Sequence, residues 1–195
     1  MRTGLRGLVG VTTGAAVVLT LGAGPASAER VTVVDRRGDV LKVEEGATSG
    51  VPAPGSTFDV WRSSFDHTAD RVAARVRFDD LRPTGKRLKV WVSLRDGRGR
   101  IHYVGVEAVP GDRGGSASLM GNAGQDRPCK IRHRIDYARD AVRVSLPSAC
   151  VGSPRVLRFG VLTEHVRRSW RYAWLDDALS PTVGKVTWTR PLAAG

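Results

Sequence analysis

The chain has 195 residues, 41% of them hydrophobic, and its 31 lysines and arginines against 19 aspartates and glutamates give a formal net charge of +12. After the first 28 residues, no stretch is apolar enough over the roughly 20 residues that a bilayer requires, which excludes a transmembrane anchor in the remainder. That remainder is long enough for one domain with a hydrophobic core.

The first 28 residues have the three parts of a cleavable secretory signal peptide. Arg2 and Arg6 make a positive start, residues 8–21 are apolar, and Ala26-Ser27-Ala28 is a cleavage motif of the A-x-A type. The apolar stretch is short and contains polar breaks, so cleavage after Ala28 is favoured over a retained anchor. We therefore predict a secreted domain of residues 29–195, either extracellular or associated with the cell wall.

The basic charge of the chain has two interpretations. It favours attraction to polyanions such as wall polymers, anionic membranes or nucleic acid. It also follows from composition alone, since 26 arginines stand against five lysines, as a GC-rich genome imposes. The basic residues are spread along the sequence and not gathered in one tract, and this favours the compositional interpretation.

Apolar and polar residues alternate in a series of short segments, which is the pattern of half-buried strands. An N-terminal strand pair is predicted at 31–34 and 40–43, followed by a loop rich in Gly, Pro and Ser at 46–56. Longer strands are predicted at 72–78, 88–94, 129–135, 142–146 and 157–161, with turn sequences between them at 96–97, 110–112, 114–124 and 152–154.

No helical pattern lies between these strands, so the crossover helices of a parallel sheet are lacking. The sequence therefore predicts an all-β fold, a single antiparallel β-sandwich of jelly-roll-like type with about eight to ten strands.

The two cysteines of an exported chain are expected to pair. Residues 129–136 and 141–147 form one predicted hairpin, which places Cys129 opposite a position about two residues short of Cys150. A slight continuation of the returning strand brings the two sulfurs within bonding reach. We predict a Cys129–Cys150 disulfide that closes this hairpin.

The chain has no motif that carries catalysis. It contains no G-x-S-x-G sequence for a nucleophilic serine and no H-x-x-x-H or C-x-x-C spacing for zinc. The four histidines are dispersed, and His133 falls on the apolar face of a predicted strand. A non-catalytic protein is favoured. The alternative is an extracellular hydrolase whose site is assembled from residues distant in sequence.

Aspartates at two places are candidate ligands for calcium, which binds several converging oxygens. Asp35 and Asp39 flank a turn, and Asp59 begins the next long strand, so the three can meet at one rim. Asp176-Asp177 forms a second cluster near the C-terminus. Two arginines between Asp35 and Asp39 can neutralise that pair, and aspartates that only bond turn backbone are the alternative.

Five tryptophans in an exported β-sandwich suggest carbohydrate binding, because sugars stack on exposed rings. Trp170, Tyr172 and Trp174 alternate along a predicted strand and are the candidate binding face. The alternative is that these rings fill the core, as aromatic residues in sandwiches usually do.

Five short motifs of the chain form a recognisable set: Ala26-Ser27-Ala28, the D-R-R-G-D-V run at 35–40, F-D-V at 58–60 with F-D-H at 65–67, V-S-L-P-S-A-C at 144–150, and W-L-D-D-A at 174–178. Together they resemble a group of small secreted proteins of actinobacteria. The resemblance implies a β-sandwich fold and export, and it brings no catalytic residues to this chain.

The sequence thus predicts an exported, non-catalytic domain that binds a cell-wall polysaccharide or another polyanion at the cell surface. Calcium is the one candidate ion, and no cofactor is expected. No module that reads nucleic-acid sequence is present, so any such binding is expected to be non-specific.

Overall fold

The computed structural model describes residues 29–47, 49–121, 128–180 and 186–195. Within these ranges, thirteen strands form two antiparallel sheets. The predicted all-β sandwich with one disulfide is confirmed. The predicted signal peptide, residues 1–28 with cleavage after Ala28, lies outside the described residues. No helix in the described part of the chain is long and apolar enough to cross a membrane.

In chain order the strands are β1 (Glu29–Val34), β2 (Leu41–Glu44), β3 (Gly50–Pro52), β4 (Val60–His67), β5 (Arg71–Phe78), β6 (Arg87–Asp96), β7 (Ile101–Val109), β8 (Asp112–Met120), β9 (Arg132–Asp136), β10 (Ala141–Pro147), β11 (Val156–Val166), β12 (Tyr172–Asp177) and β13 (Leu192–Ala193). The first sheet has the order β1-β4-β5-β10-β9. The second has the order β3-β2-β12-β11-β6-β7-β8, with β13 paired to β11.

The core lies between the two sheets and is built by the alternation seen in the sequence. In β5, for example, Val72, Ala74, Val76 and Phe78 are buried, while the residues between them face outward. Phe65 of the first sheet stacks on Phe159 of the second, with ring centroids 4.8 Å apart. Burial of these apolar side chains is the main force that holds the sheets together.

The predicted N-terminal strand pair is wrong. β1 pairs with β4 in the first sheet, whereas β2 pairs with β12 in the second. Residues 35–40 therefore cross from one sheet to the other, and Val40 is fully buried at the end of this crossover. Part of the predicted loop at 46–56 is also ordered as a strand, since β3 pairs with β2.

The region predicted as a turn at 114–124 begins instead as strand β8, which pairs with β7. Gly115 has a φ of +76°, and a side chain there would place its Cβ 2.6 Å from the carbonyl oxygen of Glu107. The register shifts between Glu107 and Val109, so glycine is required where the chain bulges. Pairing with a long neighbour overrides the weak strand preference of glycine and serine.

The disulfide forms as the hairpin predicts. β9 and β10 pair with Arg132 opposite Ser145, so the same register places Cys129 opposite Ser148. A 3₁₀ turn at Ser148–Val151 then carries Cys150 toward Cys129, and the two Cα atoms lie 5.8 Å apart. The strand itself starts at Arg132, three residues later than predicted.

His165 makes the fold sensitive to acid. Its ring stacks on Phe58 with centroids 4.9 Å apart, and Nε2 donates to the carbonyl oxygen of Thr84 at 3.1 Å. Burial lowers the pKa of His165, and the positive charges of Arg167 and Arg113 add to this effect. The native protein therefore binds fewer protons than the unfolded chain as the pH falls below about 6.5, and stability decreases in that direction.

We expect His165→Gln to lose less stability than the wild type on acidification from about pH 7 to pH 5, because glutamine can donate to Thr84 without titrating. Thermal unfolding of both proteins at the two pH values measures the difference, and the comparison cancels groups common to both. Equal acid sensitivity would show that His165 is not the group responsible.

Candidate functional site

The outer surface of the five-stranded sheet is strongly basic, and we call it the basic face. Its side chains alternate with buried ones along each strand, and among the described residues it carries two carboxylates, Asp66 and Asp136. Its arginines are Arg30, Arg62, Arg71, Arg75, Arg77, Arg132, Arg134 and Arg143. Arginines that form no tract in the sequence are thus gathered on one surface.

The register of the sheet places arginines side by side. Arg143 of β10 lies directly opposite Arg75 of β5 on one side and Arg134 of β9 on the other. Arg62 of β4 likewise faces Arg77 of β5. Neighbouring strands are about 4.8 Å apart, and like charges directly opposite one another destabilise a sheet. The arrangement therefore carries a cost that a bound anion would relieve.

Few of these charges are neutralised within the protein. Asp66 pairs with Arg30 at 2.5 Å, and Asp136 pairs with Arg134 and Arg139, each at 3.4 Å. The other six arginines of the basic face form no ion pair with a described carboxylate. Four of them, Arg71, Arg75, Arg132 and Arg143, line a depression of about 400 Å³ together with Arg30 and Arg134.

Arg75 and Arg77 lie at the middle of the basic face and are half-buried. Their Nε atoms are shielded from solvent and have no hydrogen-bond partner among the described residues. Burial lowers the pKa of Arg75, and the positive charges of Arg77, Arg143 and Arg139 lower it further. Arginine binds an oxyanion through a planar fork. Because these two Nε atoms are shielded from solvent, an external anion would have to contact the terminal nitrogens of the guanidinium groups.

Trp61 adds an aromatic ring to the edge of the basic face. It lies at the register shift between Val60 and Arg62, and its Nε1 donates to the carbonyl oxygen of Phe78 at 3.0 Å. The guanidinium carbons of Arg62 and Arg77 lie 6.0 and 5.6 Å from the ring centroid. Nothing in the local sequence marks this ring as different from the other tryptophans, because its position depends on the bulge.

Aspartates from three parts of the chain meet at one end of the sandwich, and we call them the acidic cluster: Asp35, Asp39, Asp59, Asp176 and Asp177. Asp35 follows β1, Asp39 precedes β2, Asp59 precedes β4, and the last two end β12. One carboxylate oxygen from each of Asp35, Asp39 and Asp176 lies within 4.8 Å of the other two.

The closest group of carboxylates therefore contains only two of the three predicted calcium ligands. Asp35 and Asp39 are brought together as expected, but Asp176 is the third member of the closest group, and Asp59 lies beside it. The two clusters proposed from the sequence form a single cluster, because β2 pairs with β12.

Backbone amides satisfy some oxygens of the acidic cluster. The amide of Val60 donates to Asp176 Oδ2 at 2.6 Å, that of Arg36 donates to Asp35 Oδ1 at 2.8 Å, and that of Gly38 donates to Asp59 Oδ2. Five buried oxygens have no hydrogen-bond partner among the described residues. They are Asp35 Oδ2, Asp39 Oδ1, Asp39 Oδ2, Asp59 Oδ1 and Asp176 Oδ1.

The environment of the acidic cluster disfavours charged carboxylates. Burial raises the pKa of Asp35 to about 7, of Asp176 to about 8 and of Asp177 to about 6, and repulsion from neighbouring carboxylates acts in the same direction.

The two arginines expected to neutralise the cluster do not form ion pairs with it. Arg37 pairs instead with Asp79, with Nη1 and Oδ1 3.3 Å apart. The side chain of Arg36 is exposed and pairs with no described carboxylate. Their charges act only at a distance, Arg36 lowering the pKa of Asp39 and Arg37 that of Asp59, in each case less than burial raises it.

The three rings predicted as one binding face do not share a surface. Tyr172 and Trp174 lie on one face of β12, where the Nζ of Lys42 is 4.0 and 5.8 Å from their centroids. Trp170 precedes the strand, is 51% exposed, and lies under the guanidinium of Arg87 at 4.9 Å. The chain turns between Trp170 and Tyr172, so the alternation in the sequence does not continue as a strand.

Fold and surface together define an antiparallel β-sandwich with one disulfide, one basic sheet face and one buried acidic cluster. No protein-family model matches the chain, and no curated protein sequence matches it.

Proposed function

We propose that the protein is an exported, non-catalytic domain that binds a linear polyanion of the cell wall on its basic face. The observation that carries the proposal is the row Arg75, Arg143 and Arg134, placed side by side by the register of three strands. Like charges at this spacing stabilise nothing within the fold. A single opposed pair, Arg95 and Arg158, also occurs on the other sheet, so it is the gathering of eight arginines on one face that an external anion best explains.

The extent of the basic face favours a polymer over a small anion. Its arginines come from five strands about 4.8 Å apart, and alternate residues along a strand are about 6.7 Å apart. A single small anion would occupy one or two guanidinium groups, whereas a chain with repeating oxyanions can contact a whole row. Phosphate and carboxylate groups both match the arginine fork, so phosphodiester and polyuronate wall polymers share the required chemistry.

The acidic cluster bears on the alternative of an extracellular hydrolase. It does bring together carboxylates that are distant in sequence, and a glycosidase site requires a pair of carboxylates. However, both oxygens of Asp39 and the free oxygens of Asp59 and Asp176 are shielded from solvent. A polysaccharide cannot reach them, and this supports a non-catalytic role.

The test compares two double variants that remove the same charge. Arg75→Gln with Arg143→Gln removes a cross-strand pair from the basic face. Arg95→Gln with Arg158→Gln removes a cross-strand pair of exposed arginines from the outer face of the other sheet. Because each lost charge-assisted contact is worth about 1 kcal/mol or more, we expect the first variant to bind inorganic polyphosphate or polygalacturonate at least about tenfold more weakly at low salt.

The Arg95/Arg158 variant should bind within about twofold of the wild type, since only net charge has changed. Equal weakening of both variants would show that net charge, and not the basic face, governs binding. Duplex DNA serves as a comparison polymer whose charged groups are phosphates alone.

Isolated cell walls provide the second measurement. Retention of the protein on walls, lost in the Arg75/Arg143 variant, is the expected result, with no sugar or peptide released into the supernatant. Release of reducing ends by the wild type would instead support the hydrolase.

A further inference from the structure

The acidic cluster contains buried oxygens that the described residues leave without a partner. Asp176 is 1% exposed and Asp59 is 4% exposed, yet one oxygen of each has no hydrogen-bond donor. Buried polar atoms in native proteins almost always have a hydrogen-bond partner. A buried carboxylate oxygen without one is among the groups that cost a fold the most free energy. One carboxylate oxygen of Asp176 lies within 4.8 Å of oxygens of Asp35 and Asp39, so this buried side chain points into the cluster.

A cation satisfies this arrangement more fully than the alternatives do. A shared proton pairs two oxygens, and a water molecule donates two hydrogen bonds, whereas five oxygens need a partner. A cation can contact several of them at once and also removes the repulsion among the carboxylates. Arg37, one of the two positive side chains nearest in sequence, does not supply this positive charge, since it pairs with Asp79.

The donor atoms indicate which class of cation fits. All of them are carboxylate oxygens, which suit hard ions such as calcium, magnesium and manganese and not zinc or copper. Calcium binds oxygens at about 2.3–2.6 Å, so two ligands on opposite sides of it lie about 4.6–5.2 Å apart. One oxygen from each of the three closest carboxylates falls within 4.8 Å of the other two, so all three can contact a single ion of this size.

We propose that the acidic cluster binds one divalent cation of the calcium class, with Asp35, Asp39 and Asp176 as ligands and Asp59 as a fourth carboxylate beside them. The ion would join the crossover at 35–40 to the start of β4 and the end of β12. It would thereby hold together elements of both sheets, independently of the basic face.

The raised pKa values of Asp35 and Asp176 are consistent with this proposal. In the metal-free protein a buried carboxylate among others is stabilised by a proton, and a cation that binds there takes the place of that proton.

The experiment uses the mature protein after treatment with a chelator and removal of the chelator. Calcium, magnesium and manganese are then added separately, and binding is followed by isothermal titration calorimetry and thermal unfolding. We expect calcium at about one hundred times its Kd to raise the Tm by roughly 5–10 °C. Asp39→Asn and Asp176→Asn should each bind at least about tenfold more weakly, because each removes a charged ligand.

Asp70→Asn is the matched control, since it also removes one carboxylate. Asp70 is exposed at the turn between β4 and β5, which lies at the opposite end of β4 from Asp59. It should bind calcium as the wild type does. Metal-free Asp176→Asn should be about as stable as the metal-free wild type, because asparagine is neutral like the protonated carboxyl and its oxygen can still accept from the amide of Val60. Weak binding by this variant would therefore not reflect unfolding.

Two results would overturn the proposal. One is a chelator-treated wild type that gives no heat of binding and no change in Tm with any of the three cations, as carboxylates that share protons would. The other is equal calcium affinity in Asp39→Asn, Asp176→Asn and Asp70→Asn.

Discussion

Replacement of Phe159 by alanine is expected to lower the free energy of unfolding by about 3–5 kcal/mol. Phe159 is fully buried on β11 of the second sheet and stacks on Phe65 of the first, with ring planes 25° apart. Removing the ring leaves a cavity between the sheets and deletes one of the largest contacts across the core. Chemical denaturation of wild type and variant measures the loss directly.

Two further variants separate this contact from general effects of substitution. Phe159→Leu retains much of the apolar volume and should lose less stability than Phe159→Ala. Val34→Ala, at a residue that is 73% exposed, should change stability by no more than about 0.5 kcal/mol. A Phe159→Ala protein as stable as the Val34→Ala protein would contradict the packing of β11 on β4.

Loss of the Cys129–Cys150 disulfide should cost about 3 kcal/mol, because the bond closes a loop with a sequence separation of 21 residues. For a domain of this size the Tm should fall by roughly 6–12 °C. Both half-cystines also pack against the core, and the small cavities left by a double Cys→Ala variant add to the loss.

The double variant is also the control for reduction. Adding a reductant to the wild type should lower its Tm, whereas the same reductant should leave the Tm of the variant unchanged. A wild type whose unfolding curve is the same in oxidising and reducing buffer would show that the bond contributes nothing to stability.

The features that could be predicted from the sequence are those set by short-range patterns. The strands with clean alternation, such as β5 and β6, begin and end within two residues of their predicted bounds. The disulfide could be predicted because both cysteines flank one hairpin, whose register is fixed by a short turn. Strand β8 could not be predicted, because its glycines and serines carry little preference and its pairing with β7 decides its conformation.

The candidate sites depend on contacts that no local pattern encodes. The basic face arises because β10 lies between β5 and β9, which brings Arg143 beside Arg75 although 68 positions separate them in the sequence. The acidic cluster arises because Asp176 reaches the amide of Val60, a residue 116 positions earlier. In both cases the residue types were visible in the sequence, but their meeting depends on sheet order.

The dependence of polyphosphate affinity on salt tests binding at the basic face most directly. A plot of log affinity against log salt concentration has a slope proportional to the number of anionic groups that the protein neutralises. We expect a steep linear decrease for the wild type, a slope shallower by about 1.5 for the Arg75/Arg143 double variant, and the wild-type slope for the Arg95/Arg158 double variant. Identical slopes for the two double variants would show that the polymer does not lie on the basic face.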